Sequence, residues 1–250
     1  MKRAVKRVGV LLVTMLTAAA CIGSLAACGG GGVDPSTLFV DTEGLVFSGN
    51  EVSFTEKKMT RMFANGTADA GFAVSYTVQG DNPDYTWVDS GGLYVELAGE
   101  TVDIDGVLEP LYHNIVIFQD PPTYGEATKA SVASIWITEN SVRTHTGTEE
   151  GAFFKTDMSF VISRYPMQVS IAYYNEAYYF MLDKTYKVKI TADTTFENTV
   201  FTEKLDKFFG AGTRKLGFRT ANTPATYKKI SVGIGDDAAL AAIKKMGLEP

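Results

Sequence analysis

The chain carries an oxygen-rich stretch, Asp81-Asn82-Pro83-Asp84, with Asp89 shortly after it. Carboxylate and amide oxygens at this density are the hard ligands that calcium prefers. The stretch lacks the spacing of an EF-hand loop, and a solvated acidic loop is the alternative interpretation. Asp81, Asp84 and Asp89 are therefore predicted as ligands of a calcium ion, and no other cofactor is indicated.

Large aromatic side chains stand in and beyond the same stretch. Tyr85 and Trp87 lie within it, and Tyr124 and Tyr179 belong to a wider set of aromatics that do not all fit one inward sheet face. An exposed aromatic ring offers a flat, rigid area with a polar edge, on which a sugar ring can stack. We therefore predict these four residues as carbohydrate-binding. Packing in the protein core is the alternative for each.

Histidine offers little further site chemistry. The two histidines are His113 and His145, and no Gly-x-Ser-x-Gly elbow occurs that would supply a nucleophile. With only two histidines, a zinc site built from several histidines is not favoured. Each is predicted as a surface or partly hydrogen-bonded side chain, and no catalytic residue is predicted.

The amino-terminal region has the layout of a secretion signal. An uncharged apolar run, Val8–Ala20, follows a basic start and is too short to span a membrane comfortably. Leu25-Ala26-Ala27-Cys28 then resembles the lipobox of bacterial lipoproteins, whose cysteine is lipidated and becomes the new amino terminus. The resemblance implies a diacylglyceryl group on Cys28, and two acyl chains anchor a protein stably to a membrane. It also implies an extracytoplasmic, lipid-anchored location.

Processing at Cys28 changes the charge and the thiols that remain. The full chain has a net charge of −6, and loss of the basic leader leaves 19 Lys and Arg against 29 Asp and Glu, a net charge of −10. Such an acidic chain is a poor partner for nucleic acid, which binds basic surfaces. Cys21 leaves with the signal and Cys28 is acylated, so no disulfide or thiolate metal site is expected. Gly29–Gly32 would serve as a flexible tether.

The stretch Gln168–Ile190 predicts the fold most directly. It contains three runs rich in β-branched and aromatic residues, broken at Asn175-Glu176 and at Asp183-Lys184. Alternation along the strands then places one continuous apolar wall on a single face of the first hairpin. A two-residue turn at Asn175-Glu176 sets the register of that wall, pairing Tyr173 with Tyr178, Ile171 with Phe180 and Val169 with Leu182.

Short strands are expected along the rest of the chain as well. The turn signals between 38 and 165 delimit strands at 45–47, 51–55, 73–79, 92–97, 114–119, 134–138, 141–146 and 157–164, with a hairpin over 135–143. A short helix is expected at 203–209, a final strand pair at 215–220 and 226–233, and a terminal helix at 238–246 with Asp236 as its N-cap and Gly247 as its end. Many short strands with few helices predict an all-β, two-sheet antiparallel sandwich.

Two segments resemble the concanavalin-A-like, or laminin-G-like, jelly rolls. Met167–Lys184 has the strand, tight turn and tyrosine-rich strand of that family, and Lys215–Gly233 resembles its closing pair of strands. The expected organisation is a signal peptide at 1–27, a lipidated cysteine and tether at 28–37, a jelly-roll domain at 38–235 and a helical tail at 236–250. The family's ligands commonly sit on a concave sheet face or on loops at one rim, often beside calcium.

Some glucanases of this family carry a Glu-x-Asp-x-Glu strand, whose alternation places the carboxylates on one face. The nearest match here, Glu100–Gly106, has Asp103 and Asp105 in the right alternation, but the flanking glutamates are missing or misplaced. Asp105-Gly106 is better interpreted as a turn. The sequence thus favours a cell-surface lipoprotein that binds extracellular carbohydrate. The alternatives are a glycoside hydrolase of the same fold and a structural or protein-binding envelope lipoprotein.

Overall fold

The computed structural model describes residues 34–80, 88–104, 106–120, 131–139, 153–155, 160–162, 166–194, 209–220 and 224–250. A short 3₁₀ turn, Pro35–Thr37, precedes the first strand. The strands and the helix are β1 (Leu45–Ser48), β2 (Glu51–Phe54), β3 (Thr60–Ala68), β4 (Phe72–Gly80), β5 (Val88–Ile104), β6 (Val107–Asp120), β7 (Ser131–Glu139), β8 (Phe153–Lys155), β9 (Phe160–Ile162), β10 (Met167–Tyr174), β11 (Ala177–Leu182), β12 (Tyr186–Thr191), β13 (Arg214–Arg219), β14 (Ala225–Ile234) and α1 (Asp236–Met246).

These strands form two antiparallel sheets that pack as a β-sandwich of the jelly-roll class, which confirms the predicted fold. Sheet I has the order β1-β2-β14-β4-β10-β11-β12. Sheet II has the order β3-β13-β5-β6-β7-β8, and β9 also pairs with β7. No helix among the described residues is long and apolar enough to cross a membrane.

The hairpin of β10 and β11 has the predicted register. Ile171 pairs with Phe180 and Tyr173 with Tyr178. The turn residues Asn175 and Glu176 have φ values of 46° and 59°, the left-handed conformation that a two-residue turn of type I′ requires at both positions. All the residues of the apolar wall of this hairpin are buried in the main core between the two sheets.

Aromatic rings fill much of that core. Phe218 of β13 stacks on Tyr227 of β14 at a centroid distance of 4.1 Å, and Phe63 and Tyr76 meet the ring of Phe218 edge-on, each at 4.9 Å. Phe218 belongs to sheet II and Tyr227 to sheet I, so this stack joins the two layers. Aromatic pairs of this kind add about 0.5–1.5 kcal/mol beyond the area that they bury.

The last two strands do not pair with each other, which corrects the expected final pair. β13 lies between β3 and β5 in sheet II, whereas β14 lies between β2 and β4 in sheet I. The chain therefore crosses from one sheet to the other after Thr220. Both strands turn apolar side chains toward the core. Their sequence pattern therefore does not distinguish a pair in one sheet from two strands in different sheets.

Helix α1 packs against the outer face of β10 and β11. Small residues of the sheet, Ala172 and Ala177, make room for Ile243 and Met246 of the helix. The predicted end at Gly247 is confirmed, with φ of 70°. The predicted N-cap is wrong, because Gly235 occupies that position and the Asp236 carboxylate instead accepts a 2.8 Å hydrogen bond from the Gly71 N–H.

His113 lies inside the sandwich, which excludes the surface position that was one alternative of its prediction. The side chain is fully buried on β6, and it pairs with Val95 of β5 on the face that packs toward sheet I. Burial and, second, the nearby charge of Arg214 hold the pKa of His113 well below its usual value. His145, residues 203–208 of the expected helix and the expected strand 141–146 lie outside the described residues.

The tip of the β5–β6 hairpin forms the turn that the sequence favoured over a catalytic strand. Ile104 pairs with Val107, and the Gly106 N–H donates a 2.7 Å hydrogen bond to the Asp103 carboxylate. Gly106 has φ of 84°, a conformation that glycine adopts at little cost. Asp103 thus stabilises the turn.

Candidate functional site

The outer face of sheet II collects polar and aromatic side chains. Leu93 and Val95 of β5 are buried in the core, so alternation turns Tyr94 and Glu96 to the opposite face. Strand pairing sets the neighbours of these two residues. Tyr94 lies between Gly217 of β13 and Asn114 of β6, and Glu96 lies between Lys215 and Tyr112.

Tyr94 and Tyr112 form an aromatic pair on this face. Their ring centroids are 4.6 Å apart with an interplanar angle of 35°, and each residue is 6% exposed. Burial raises the pKa of both phenols, and the negative charge of Glu96 raises that of Tyr94 further. Both hydroxyls therefore stay protonated at neutral pH and act as hydrogen-bond donors or acceptors.

Two cations stand beside the aromatic pair. Lys215 Nζ lies 2.8 Å from Glu96 Oε1. The guanidinium of Arg219 lies 5.5 Å from the centroid of the Tyr112 ring, and its Nη1 donates a 2.7 Å hydrogen bond to Thr60 Oγ1. A cation over an aromatic face at this range is held by the ring quadrupole. The two tyrosines are thus flanked by the Lys215–Glu96 ion pair and by the guanidinium of Arg219.

A groove of about 410 Å³ opens next to these cations, within the size range of small-molecule sites. One wall is the segment before β1, which runs along β3 through hydrogen bonds from Val40 N–H to Met62 O (2.9 Å) and from Ala64 N–H to Leu38 O (2.8 Å). The lining residues are Val40, Asp41, Thr60, Arg61, Met62, Phe63, Ala64, Gly66, Thr67 and Lys215. Thr60 and Lys215 connect the groove to the aromatic pair.

The sequence did not indicate this groove, because β3 was not recognised as a strand. Its residues, TRMFANGTA, include Asn65-Gly66, a pair that is more typical of a turn. The strand is held by β13 on one side and by Phe39 on the other. A Cβ at Gly217 would collide with the backbone of Arg61 and Met62, so the glycine is what lets β3 and β13 approach.

Most of the residues that the sequence assigned to ligand or calcium lie outside the described part of the chain: Tyr85, Trp87, Tyr124, Asp81 and Asp84. Asp89 is in β5 and pairs with Phe118 of β6. Among the described residues, no group of three or more His, Cys, Asp or Glu side chains is close enough to hold a metal ion. The calcium site stays a prediction.

Tyr179 is not a ligand residue, which corrects its assignment. Its side chain is fully buried with Ala172 and Met181, and Ile243 and Met246 of α1 complete the cluster. A ring covered in this way cannot stack on a sugar. Alternation placed Tyr179 on the outer face of sheet I, but the position of α1 over that face could not be deduced from the hairpin alone.

No family model matches the chain, and no curated protein matches it. Among solved structures, the exoplasmic/lumenal domain of VIP36 bound to Ca²⁺ and Man3GlcNAc is 10% identical, with a TM-score of 0.47 over 82% of this chain and 88% of that one. The carbohydrate-binding module CBM66 from Bacillus subtilis is 7% identical, with a TM-score of 0.39 over 79% and 96%. A functionally unknown protein from Saccharomyces cerevisiae is 10% identical, with a TM-score of 0.45 over 82% and 100%. The likeness concerns the fold alone.

Proposed function

We propose that the chain is a lipid-anchored extracytoplasmic protein whose sandwich binds carbohydrate in the groove at β3 and β13. The observation that carries the proposal is the lining of this groove, which combines hydroxyl, carboxylate and ammonium groups with the apolar side chains of Val40 and Met62. Carbohydrate recognition needs hydrogen-bonding groups for hydroxyls together with a rigid apolar surface for the C–H faces of the ring. The lining of the groove supplies both.

The polar lining of the groove suits sugar hydroxyl groups. Thr60 and Thr67 offer hydroxyls that both donate and accept hydrogen bonds, Asp41 offers a carboxylate acceptor and Lys215 an ammonium donor. The side chains of Asp41 and Lys215 are 60% and 49% exposed, so a ligand can reach them. Met62 provides an apolar surface between these groups.

Two further loops would extend the site at one end of sheet II. Val88 pairs with Gln119, so the start of β5 and the end of β6 lie at the same end of sheet II. Arg219 pairs with Gly92 in the same region, roughly 13 Å along β5 from Val88 at about 3.3 Å per residue. We propose that Trp87, Tyr85 and Tyr124 contact the ligand there.

Calcium held by Asp81, Asp84 and Asp89 would position the loop that carries Tyr85 and Trp87. A bound cation with several oxygen ligands restricts the loop that supplies them. The proposal needs no calcium within the groove itself.

The lipidated end lies near the groove along the chain. The described residues begin at Asp34, and the segment that leads from there forms the wall with Val40 and Asp41. The stretch from Cys28 to Asp34 spans at most roughly 20 Å when fully extended. We propose that this short, glycine-rich tether holds the binding domain close to the membrane surface.

A glycan array followed by titration calorimetry tests carbohydrate binding. The full chain, kept in detergent micelles, is screened against neutral and charged polysaccharides with calcium and with a calcium chelator. Thr67→Trp fills the groove and should weaken binding at least tenfold, whereas Thr185→Trp, at an exposed position on the other sheet, should leave binding unchanged. Absence of binding to every glycan, or equal binding by both variants, would contradict the proposed function.

A further inference from the structure

The groove gathers positive charge in an acidic protein. The chain has a net charge of −6, yet Arg61 and Lys215 line the groove and Arg219 reaches its rim through Thr60. A local excess of cations in an acidic molecule concentrates anionic ligands and keeps other regions from competing for them. Against Asp41 and Glu96, the carboxylates paired with Arg61 and Lys215, the three cations leave an excess of one positive charge.

Two of the three cations already have a carboxylate partner. Lys215 is paired with Glu96 at 2.8 Å, and Arg61 Nε lies 3.7 Å from Asp41 Oδ2. Arg61 also donates to the backbone carbonyls of Glu43 and Thr60. These contacts fix the two side chains and leave little unbalanced charge on them.

Arg219 differs from the other two. Arg219 donates a hydrogen bond to Thr60 Oγ1 and lies over the ring of Tyr112, and no carboxylate among the described residues forms an ion pair with it. A guanidinium has five N–H donors, and a planar carboxylate or a sulfate can accept two of them side by side. The contacts to Thr60 and Tyr112 hold the cation in place without neutralising it.

We infer that the carbohydrate bound in this groove carries an anionic group, a carboxylate or a sulfate, and that Arg219 binds that group. The inference rests on the proposed function, since it names the class of glycan for the same site. The sugar ring would lie in the groove near Thr60, and the anion would face the rim toward Tyr112. Uronic-acid polymers and sulfated polysaccharides share this chemistry.

Matched polymer pairs test the inference, because each pair differs in charge and keeps its sugar. Calorimetry with the full chain in micelles compares polygalacturonate with its fully methyl-esterified form, and dextran sulfate with dextran. We expect at least tenfold tighter binding to the charged member of one pair or both. The pair that shows the preference identifies the anion as carboxylate or sulfate. The preference should weaken as salt rises, since exposed charges are screened over about 10 Å at 0.1 M salt.

Variants assign the charge effect to Arg219. Arg219→Gln should abolish the preference for the charged polymer, and Arg219→Lys should retain part of it because a point charge lacks the planar fork. Lys245→Gln removes one positive charge from α1, on the opposite sheet, and should leave the preference intact. A circular dichroism melt confirms that each variant is folded.

Five outcomes would overturn the inference. Equal binding to charged and uncharged members would do so while leaving the proposed function standing. A preference for charge that survives Arg219→Gln, or one that Lys245→Gln removes equally, would show that general electrostatics decide the binding. Binding in the array to neutral glycans only would reject the inference alone, whereas no binding to any glycan would reject it together with the proposed function.

Discussion

The guanidinium of Arg214 lies 3.9 Å from the centroid of the Tyr173 ring and donates a 2.8 Å hydrogen bond to the hydroxyl of the same tyrosine. Arg214 starts β13 in sheet II and Tyr173 lies in β10 of sheet I, so the contact joins the two layers. Arg214 is 1% exposed, and it also donates to the carbonyls of Gly210 and Gly212 at 2.6 and 2.8 Å. Tyr173 in turn donates to the Phe209 carbonyl at 2.8 Å. The charge is therefore buried with its two terminal nitrogens directed at oxygens, which offsets part of the cost of burying a cation.

Arg214→Ala should destabilise the domain by about 3–5 kcal/mol, because it removes the hydrogen bonds to the Tyr173 hydroxyl and to the Gly210 and Gly212 carbonyls and opens a cavity. The midpoint and slope of urea unfolding, followed by tryptophan fluorescence, measure the change. Lys215→Ala is the control on the same strand, where loss of an exposed ion pair should cost no more than about 1 kcal/mol. Equal losses in both variants would show that the buried contacts of Arg214 contribute no more stability than the exposed ion pair of Lys215.

Phe180→Ala should cost about 3–5 kcal/mol and Ile171→Val about 0.5–1.5 kcal/mol, because both side chains are fully buried and face each other across the hairpin. The double variant should depart from the sum of the two losses, since contacting residues are not additive. Gln79→Ala, exposed on β4, should change stability by less than about 0.5 kcal/mol. If the losses of the two single variants add up to that of the double variant within error, the two side chains do not interact, which would contradict the register.

His113 should make the domain less stable as pH falls. Its folded-state pKa is held well below the unfolded value near 6.5, so below that pH the unfolded chain takes up a proton that the folded chain does not. Stability is full above that value and should fall by up to about 1.4 kcal/mol per pH unit below it. Urea unfolding at pH 7.5, 6.5 and 5.5 measures the slope. His113→Gln should flatten the slope, whereas Tyr112→Phe, which removes no group that titrates in this range, should keep it. A slope unchanged in His113→Gln would assign the effect to other groups.

Trp87→Ala should weaken binding of the glycan found by the array at least tenfold, while the midpoint of unfolding stays within error. In the proposed site its ring stacks on the bound sugar, so its loss affects the complex and not the stability of the fold. Tyr179→Ala should do the reverse. Removal of this buried ring should cost about 3–5 kcal/mol, yet the folded fraction should bind with unchanged affinity. Calorimetry and urea unfolding on the same samples separate the two effects. Unchanged affinity in Trp87→Ala would remove the loop from the site.

Cys28→Ser should release the protein from membranes, because without a thiol no diacylglyceryl anchor can form. Cell fractionation with immunodetection, together with labelling by a radioactive fatty acid, measures the change. Cys21→Ser is the matched control and should remain membrane-bound and labelled. Membrane association that persists in Cys28→Ser would refute the lipid anchor.

The sequence by itself determined the local features. Asn175-Glu176 between two alternating apolar runs fixed the register of β10 and β11, because a shift by one residue would turn the whole apolar wall into water. Asp105-Gly106 as a turn and Gly247 as the end of α1 were predicted from the conformations that glycine favours. Each of these features depends on neighbours within a few residues.

Only the tertiary structure decided which strand belongs to which sheet and which faces are covered. β13 and β14 have the same inward pattern, and their partners, β3 and β5 or β2 and β4, are distant in sequence. Tyr179 is buried because α1, more than fifty residues later, packs over it. Arg214 and Arg219 begin and end the same short strand, yet one is buried in the core and the other reaches the groove. Alternation along a strand gives two faces, and long-range packing alone decides what lies against each of them.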